Sequence, residues 1–156
     1  MNKIVGIGEF IISNQDEDKI ITYALASCVA VTVYCPIKKV AGMIHIALPE
    51  PMDNVCNSPK PGYYASIGLP FFLQTIQKNY LCDKDTLHIQ LYGGANSIRK
   101  NDAFSVGKKN IDIIEKILIE NGFSYELESI GGYVSRSIEM EVETGQVKID
   151  LHPIQI

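Results

Sequence analysis

The stretch at residues 22–33, Thr-Tyr-Ala-Leu-Ala-Ser-Cys-Val-Ala-Val-Thr-Val, limits what this chain can become more than any other. β-Branched and small residues fill it, which is the pattern of a strand. Side chains alternate along a strand, so Tyr23, Leu25, Val29, Val31 and Val33 are expected on one face, with Ser27 between them. Thr22, Ala24, Ala26, Cys28, Ala30 and Thr32 fall on the other. The first face reads as core. The second is a row of small residues around one thiol, and a packed core rarely leaves such clearance beside a sulfur. Taken alone, the stretch favours a buried structural cysteine, because free Cys is among the most buried residue types.

The rest of the chain bears on that choice. Its 156 residues suit a single domain, expected to span 1–156, with a core that needs no disulfide or metal. A net charge of −4 argues against nucleic acid as a partner, because phosphate binding needs a concentrated basic face. The short pairs Lys38-Lys39 and Lys108-Lys109 read as solvated surface. Glu9 interrupts the only candidate signal-peptide core, and no run reaches the roughly 18 apolar residues of a membrane span. A cytoplasmic chain without membrane insertion is therefore expected. There, Cys28, Cys35, Cys56 and Cys82 are expected as reduced thiols. Cys28, Cys35 and His45 could supply three ligands to zinc in principle, but no Cys-x-x-Cys pair supports this, and no cofactor is expected.

The pattern predicts strands at 3–12, 20–34 and 39–48, with a Pro36 turn between the last two. Residues 52–62 form a loop long enough to be functional. A helix is expected over 63–80, kinked or restarted at Pro70, and a strand over 86–92. Residues 108–120 carry the clearest helical stripe, ended by Asn121-Gly122. Strands at 124–130, 137–142 and 146–151 complete an α+β chain.

The two strands flanking Pro36 suggest an antiparallel hairpin. Core faces must match core faces. Pairing Tyr34 with Lys39 satisfies this, and it sets Cys28 directly opposite His45. Opposed Cβ atoms lie roughly 4.5–5.5 Å apart, so thiol and imidazole would meet. Thiol catalysis needs this arrangement: an imidazole that takes the thiol's proton, and a third group that holds the ring's other nitrogen. Thr22, six residues before Cys28 on the same face, is the candidate for the third. A lone histidine is more often a satisfied core residue, but one facing a cysteine favours catalysis. His88 and His152 are expected to have packing or surface roles, and Cys35, Cys56 and Cys82, in or beside loops with no visible partner, are expected to be incidental.

These residues resemble those of the CheD chemoreceptor glutamine deamidases. Thr22, then Leu25-Ala-Ser-Cys-Val29, then Gly42-Met-Ile-His-Ile-Ala-Leu-Pro49 follow that family's order. So do Tyr63-Tyr64, Leu91-Tyr-Gly-Gly-Ala95, Val106-Gly107 with Asn110, and Gly131-Gly-Tyr-Val-Ser-Arg136. Ala26 stands where the family carries glycine, and Val134-Ser135 also depart from its pattern. The resemblance implies two packed mixed β-sheets with flanking helices, similar to the cysteine-hydrolase core of deamidating bacterial toxins. It implies Cys28 as nucleophile, His45 as general base and acid, Thr22 as the residue that orients His45, and a contribution to substrate binding from Ser27. The implied substrate is glutamine in the cytoplasmic domains of methyl-accepting chemotaxis proteins, with glutamyl methyl esters as a second. The implied partner is CheC, a phosphatase of the response regulator CheY.

Two other readings stand beside this one, the first implied by the resemblance and the second by the residues. A binding module that regulates CheC, with little catalysis of its own, would need no working thiol. A zinc protein would carry metal when purified.

Overall fold

The computed structural model describes residues 1–52, 58–97 and 105–154. Its strands are β1 (Asn2–Ile4), β2 (Phe10–Ser13), β3 (Lys19–Leu25), β4 (Val29–Cys35) and β5 (Val40–Ile46), followed by β6 (His88–Gly93), β7 (Glu126–Ile130), β8 (Val134–Glu141) and β9 (Val147–Pro153). Helix α1 (Ala65–Asn79) lies between β5 and β6, and α2 (Val106–Glu120) between β6 and β7. The strands form two mixed sheets, ordered β1-β3-β8-β9 and β2-β5-β4-β6-β7. β1 runs parallel to β3 and β6 to β7, while the other pairs are antiparallel. The chain is thus α+β, with two packed mixed sheets.

The layers follow from which face each strand buries. Val29, Val31, Val33, Ile44 and Ile46 pack against Leu69, Phe72 and Ile76 of α1 and Ile114 and Leu118 of α2. On the other side, Ala30, Tyr34, Ala41, Met43 and Tyr92 meet Ile20, Leu25, Ile138 and Met140 of the four-stranded sheet. β4 and β5 lie between these two cores, and every residue in both is buried. A strand covered on both faces has no polar face. The small residues Ala30 and Ala41 allow the second sheet to pack close. Ala30 is fully buried there, so it is packed core and gives no clearance to an incoming side chain.

Two expected strands are each divided between the sheets. The 3–12 strand becomes β1 and β2, and the 20–34 strand becomes β3 and β4. The second crossing happens at Ala26-Ser27-Cys28. Just before it, the β3–β8 register shifts between Thr22 and Leu25, and Ala24 takes a left-handed φ of 56°. This bulge turns Tyr23 to solvent, 57% exposed, against the expected core position beside Leu25. Ala26 does not have a positive φ, so alanine is unstrained there.

The hairpin register also differs from expectation. Cys35 pairs with Val40 and Ala30 with His45, a shift of two residues. A two-residue shift keeps every apolar residue on its own face, so face matching cannot exclude it. The turn decides: Lys39 adopts a left-handed φ of 50° and closes the loop over residues 36–39. α1 is continuous through Pro70. Its first turn is satisfied from outside, with the Ala65 and Ser66 N–H groups donating to Leu48 and Pro49 carbonyls at 2.9 and 3.0 Å.

Candidate active site

Thr22 is fully buried at the last regular position of β3. Its hydroxyl donates to the Val5 carbonyl at 2.7 Å and lies 2.7 Å from His45 Nδ1. A hydroxyl has one proton. With that proton on Val5, the oxygen can only accept from His45, so Nδ1 must carry the imidazole's hydrogen. Nε2 then holds the ring's free lone pair, the proton acceptor that a thiol requires. His45 is 2% exposed, and Nε2 has no hydrogen-bond partner among the described residues.

The 5–9 segment braces this arrangement. The His45 N–H donates to the Glu9 carbonyl at 3.0 Å, and the His45 carbonyl accepts from the Gly8 N–H at 2.8 Å. One connection therefore fixes the histidine backbone and, through Val5, orients the group that holds its ring. Lys60 reaches Glu9 at 2.6 Å, joining one end of the 52–62 loop to the same brace. Residues 53–57 of that loop, Cys56 included, lie outside the described residues.

Cys28 sits half-buried at the crossover between the sheets. The two-residue register shift sets it diagonal to His45 rather than opposite. Diagonal neighbours are roughly 7–8 Å apart, within reach of a long side chain. Three successive carbonyls hold the crossover from behind. That of Ala26 accepts from the Ala95 N–H at 2.7 Å, that of Ser27 from Asn110 Nδ2 at 2.9 Å, and that of Cys28 from the Gly94 N–H at 2.9 Å. Ser27 is half-buried beside the thiol.

The glycines of this region mark close approaches. Gly93 has a φ of 109°, and a Cβ there would lie 2.2 Å from the Cys28 carbonyl oxygen. A Cβ at Gly107 would lie 2.2 Å from the Ala95 carbonyl oxygen, so α2 can seat against this loop only through glycine. The Gly131 N–H donates to the Gly93 carbonyl at 2.9 Å. Buried Arg136 donates to Ser129 Oγ at 2.8 Å and to the Gly131 carbonyl at 2.9 Å. Segments distant in sequence, 93–95, 107–110 and 131–136, thus form one scaffold behind the thiol. Sequence reading attached no role to Asn110. Its signal was a polar residue on the buried stripe of α2, in line with Gly107, Ile111, Ile114 and Leu118.

Burial sets the charge state. It raises the Cys28 thiol above its usual value, partly offset by the residue's own N–H, and it lowers His45 to about 4. At neutral pH the pair rests as thiol and free imidazole. Among the described residues no group of three His, Cys, Asp or Glu is placed to hold a metal. Cys28 precedes a seven-residue strand that ends at Cys35, so the two lie about 23 Å apart at strand spacing and cannot share a zinc ion. Cys35 and Cys82 are buried in the helix-side core, while His88 and His152 are exposed. A cavity of about 340 Å³ lined by Tyr34, His88, Glu126 and Gly145 opens at the end of β4 remote from Cys28. No group placed by the thiol argument lines it.

The family model for CheD, chemotactic sensory transduction, matches residues 47–151. The probable chemoreceptor glutamine deamidase CheD of Syntrophotalea carbinolica is 39% identical over 148 residues, covering 94% of this chain and 91% of that protein. The chemoreceptor glutamine deamidase CheD of Thermotoga maritima is 32% identical over 149 residues, covering 96% and 91%. Among solved structures, the hypothetical protein YfiH of Bacillus licheniformis is similar in fold alone, with a TM-score of 0.51 at 10% identity over 79% of this chain and 51% of that one. No helix among the described residues is long and apolar enough to cross a membrane. On the family match and these relatives together, the chain belongs to the CheD family.

Proposed function

We propose that this protein deamidates glutamine side chains of chemoreceptor cytoplasmic domains, with Cys28 as nucleophile and His45 as general base and acid. One observation carries the reading: the Thr22 hydroxyl, committed to Val5, leaves His45 with a bare, unpartnered Nε2 on the face that Cys28 shares. The named activity of the relatives supplies the substrate class.

The chemistry follows. The Cys28 sulfur attacks the carboxamide carbon while its proton passes to His45 Nε2. Sγ and Nε2 are not hydrogen-bonded in the resting site, and contacts of this kind commonly tighten only with substrate bound. The carbonyl oxygen becomes an oxyanion, held by N–H groups at the crossover, with Ser27 at the mouth. The imidazolium gives its proton to the leaving nitrogen, the carbon–nitrogen bond breaks and ammonia departs. Water, deprotonated by His45, attacks the thioester. Collapse of that intermediate releases glutamate and returns the proton to sulfur. A glutamyl methyl ester enters the same acyl-enzyme with methanol as leaving group. CheC as a partner and the cytoplasm as compartment rest on the family resemblance.

The test is mass spectrometry of a receptor cytoplasmic fragment incubated with the protein and with Cys28→Ala. Conversion of glutamine to glutamate by the first and not the second is expected. Conversion that survives the substitution sinks the assignment, and absence of conversion alongside an altered CheC phosphatase rate favours a binding module.

A further inference from the structure

We propose that Asn110 is a positioning residue for this reaction, which aims the Cys28 N–H at the oxyanion by fixing the Ser27–Cys28 peptide. The inference rests on the cysteine-hydrolase reading above. Asn110 lies on the buried face of α2 and is fully buried. Its Nδ2 donates to the Ser27 carbonyl at 2.9 Å and to the Ala47 carbonyl at 3.1 Å. Both partners are acceptors only, so the amide orientation is fixed: the nitrogen must face them. Both amide hydrogens are then used, one on the residue before the nucleophile, the other two residues past the base. One side chain ties the strand that delivers Cys28 to the strand that delivers His45.

The peptide geometry gives this contact its consequence. A trans peptide is planar, and its C=O and N–H point in opposite directions. Holding the Ser27 oxygen on α2 therefore turns the Cys28 N–H away from α2. Among the described residues no acceptor on another residue takes that N–H. It lies instead by its own sulfur, where its effect on the thiol is the lesser one beside burial. A donor beside the attacking atom, oriented before substrate arrives, is what a developing oxyanion requires. The Ala26 and Cys28 carbonyls are held by main-chain N–H groups, so Asn110 is the side chain on which the crossover depends.

A second feature favours function over simple packing. With nitrogen committed to two carbonyls, Asn110 Oδ1 is buried without a partner among the described residues. A buried orphan acceptor costs stability. A residue chosen for stability alone would not carry that cost on an otherwise apolar helix face.

The experiment compares two rates at one sulfur in the wild type, Asn110→Leu and Asn110→Ser. Deamidation of a receptor fragment passes through an oxyanion. Alkylation of Cys28 by iodoacetamide does not. For Asn110→Leu the expected result is a kcat lowered about 10²-fold, the scale of a lost oxyanion donor. KM and the alkylation rate should stay within about threefold. Asn110→Ser, which keeps one donor, should lie between, and it is judged by the same criteria if the leucine variant does not fold. A parallel fall in both rates, a change confined to KM, or an undiminished kcat overturns the proposal. Cys28→Ala runs alongside. If that variant still deamidates, the parent reading fails. If it is inactive while the Asn110 variants are unimpaired, only this inference fails.

Discussion

Replacing Thr22 by valine keeps the side chain's shape and removes one oxygen. Two buried groups then lose their partner, the Val5 carbonyl and the His45 Nδ1–H. A buried polar group left unmade costs about 1–3 kcal/mol, so the pair predicts a stability loss of about 2–6 kcal/mol. For a chain of this size, at about 2–4 °C per kcal/mol, that lowers the melting temperature by roughly 4–24 °C. The chemical effect is separate. Without an acceptor at Nδ1, one neutral hydrogen bond of about 1 kcal/mol no longer favours the tautomer with a bare Nε2. Deamidation should slow about five- to tenfold from that alone, at a temperature where the variant is folded. Thr22→Ser restores the hydroxyl and should recover most of the rate. The assay is receptor-fragment deamidation by mass spectrometry, with a melt of each variant and the His45 ring nitrogens observed by NMR. A folded Thr22→Val protein with undiminished rate and Nδ1 still protonated would refute the reasoning.

Other expected outcomes follow from the same geometry. Burial raises the Cys28 thiol, so its alkylation rate should still be climbing at about pH 9, whereas a thiolate–imidazolium pair would be flat well below that. His45 falls to about 4 on folding from an ordinary value near 6.5. Between those values the unfolded chain binds more protons, so stability is full above about pH 6.5 and is lost as pH falls toward 4, by up to about 3 kcal/mol. Urea midpoints across that range should show the slope in the wild type and a shallower one in His45→Gln. Gly93→Ala places a Cβ against the Cys28 carbonyl at a positive φ. It should cost about 3 kcal/mol or more and reduce deamidation, read by melting and by activity, while Gly131→Ala, which meets nothing within 4 Å but sits at a φ of 72°, should cost only the strain of a left-handed alanine, about 1–2 kcal/mol.

Much of this was legible in the residues, and the gaps have physical reasons. Period and punctuation located nearly every element, because apolar alternation and the 3.6-residue stripe of α2 are local signals. They could not assign a strand to a sheet. The crossing at Ala26-Ser27-Cys28 needs no proline or glycine, and an alternating pattern continues through it. Nor could face matching distinguish two registers that differ by two residues, so Cys28 was expected opposite His45 and lies diagonal to it. Both Thr22 and His45 were named from the sequence, yet the tautomer depends on the Val5 carbonyl, which comes from a connection the sequence reads as plain strand. Tyr23 was misplaced because a bulge is invisible to alternation. Asn110 was visible as part of the family pattern and as a polar residue on an apolar stripe, but its partners are main-chain carbonyls that no pattern of side chains reveals.

The central claim is that glutamine is converted through a thioester on Cys28. The most direct measurement is acid quenching of the wild type with a glutamine peptide from a receptor, followed by peptide mapping. The account predicts an acyl adduct on Cys28, carrying the peptide less ammonia, that hydroxylamine releases. Conversion of the peptide with Cys28 unmodified at every quench time, and with the rate retained in Cys28→Ser, would contradict it.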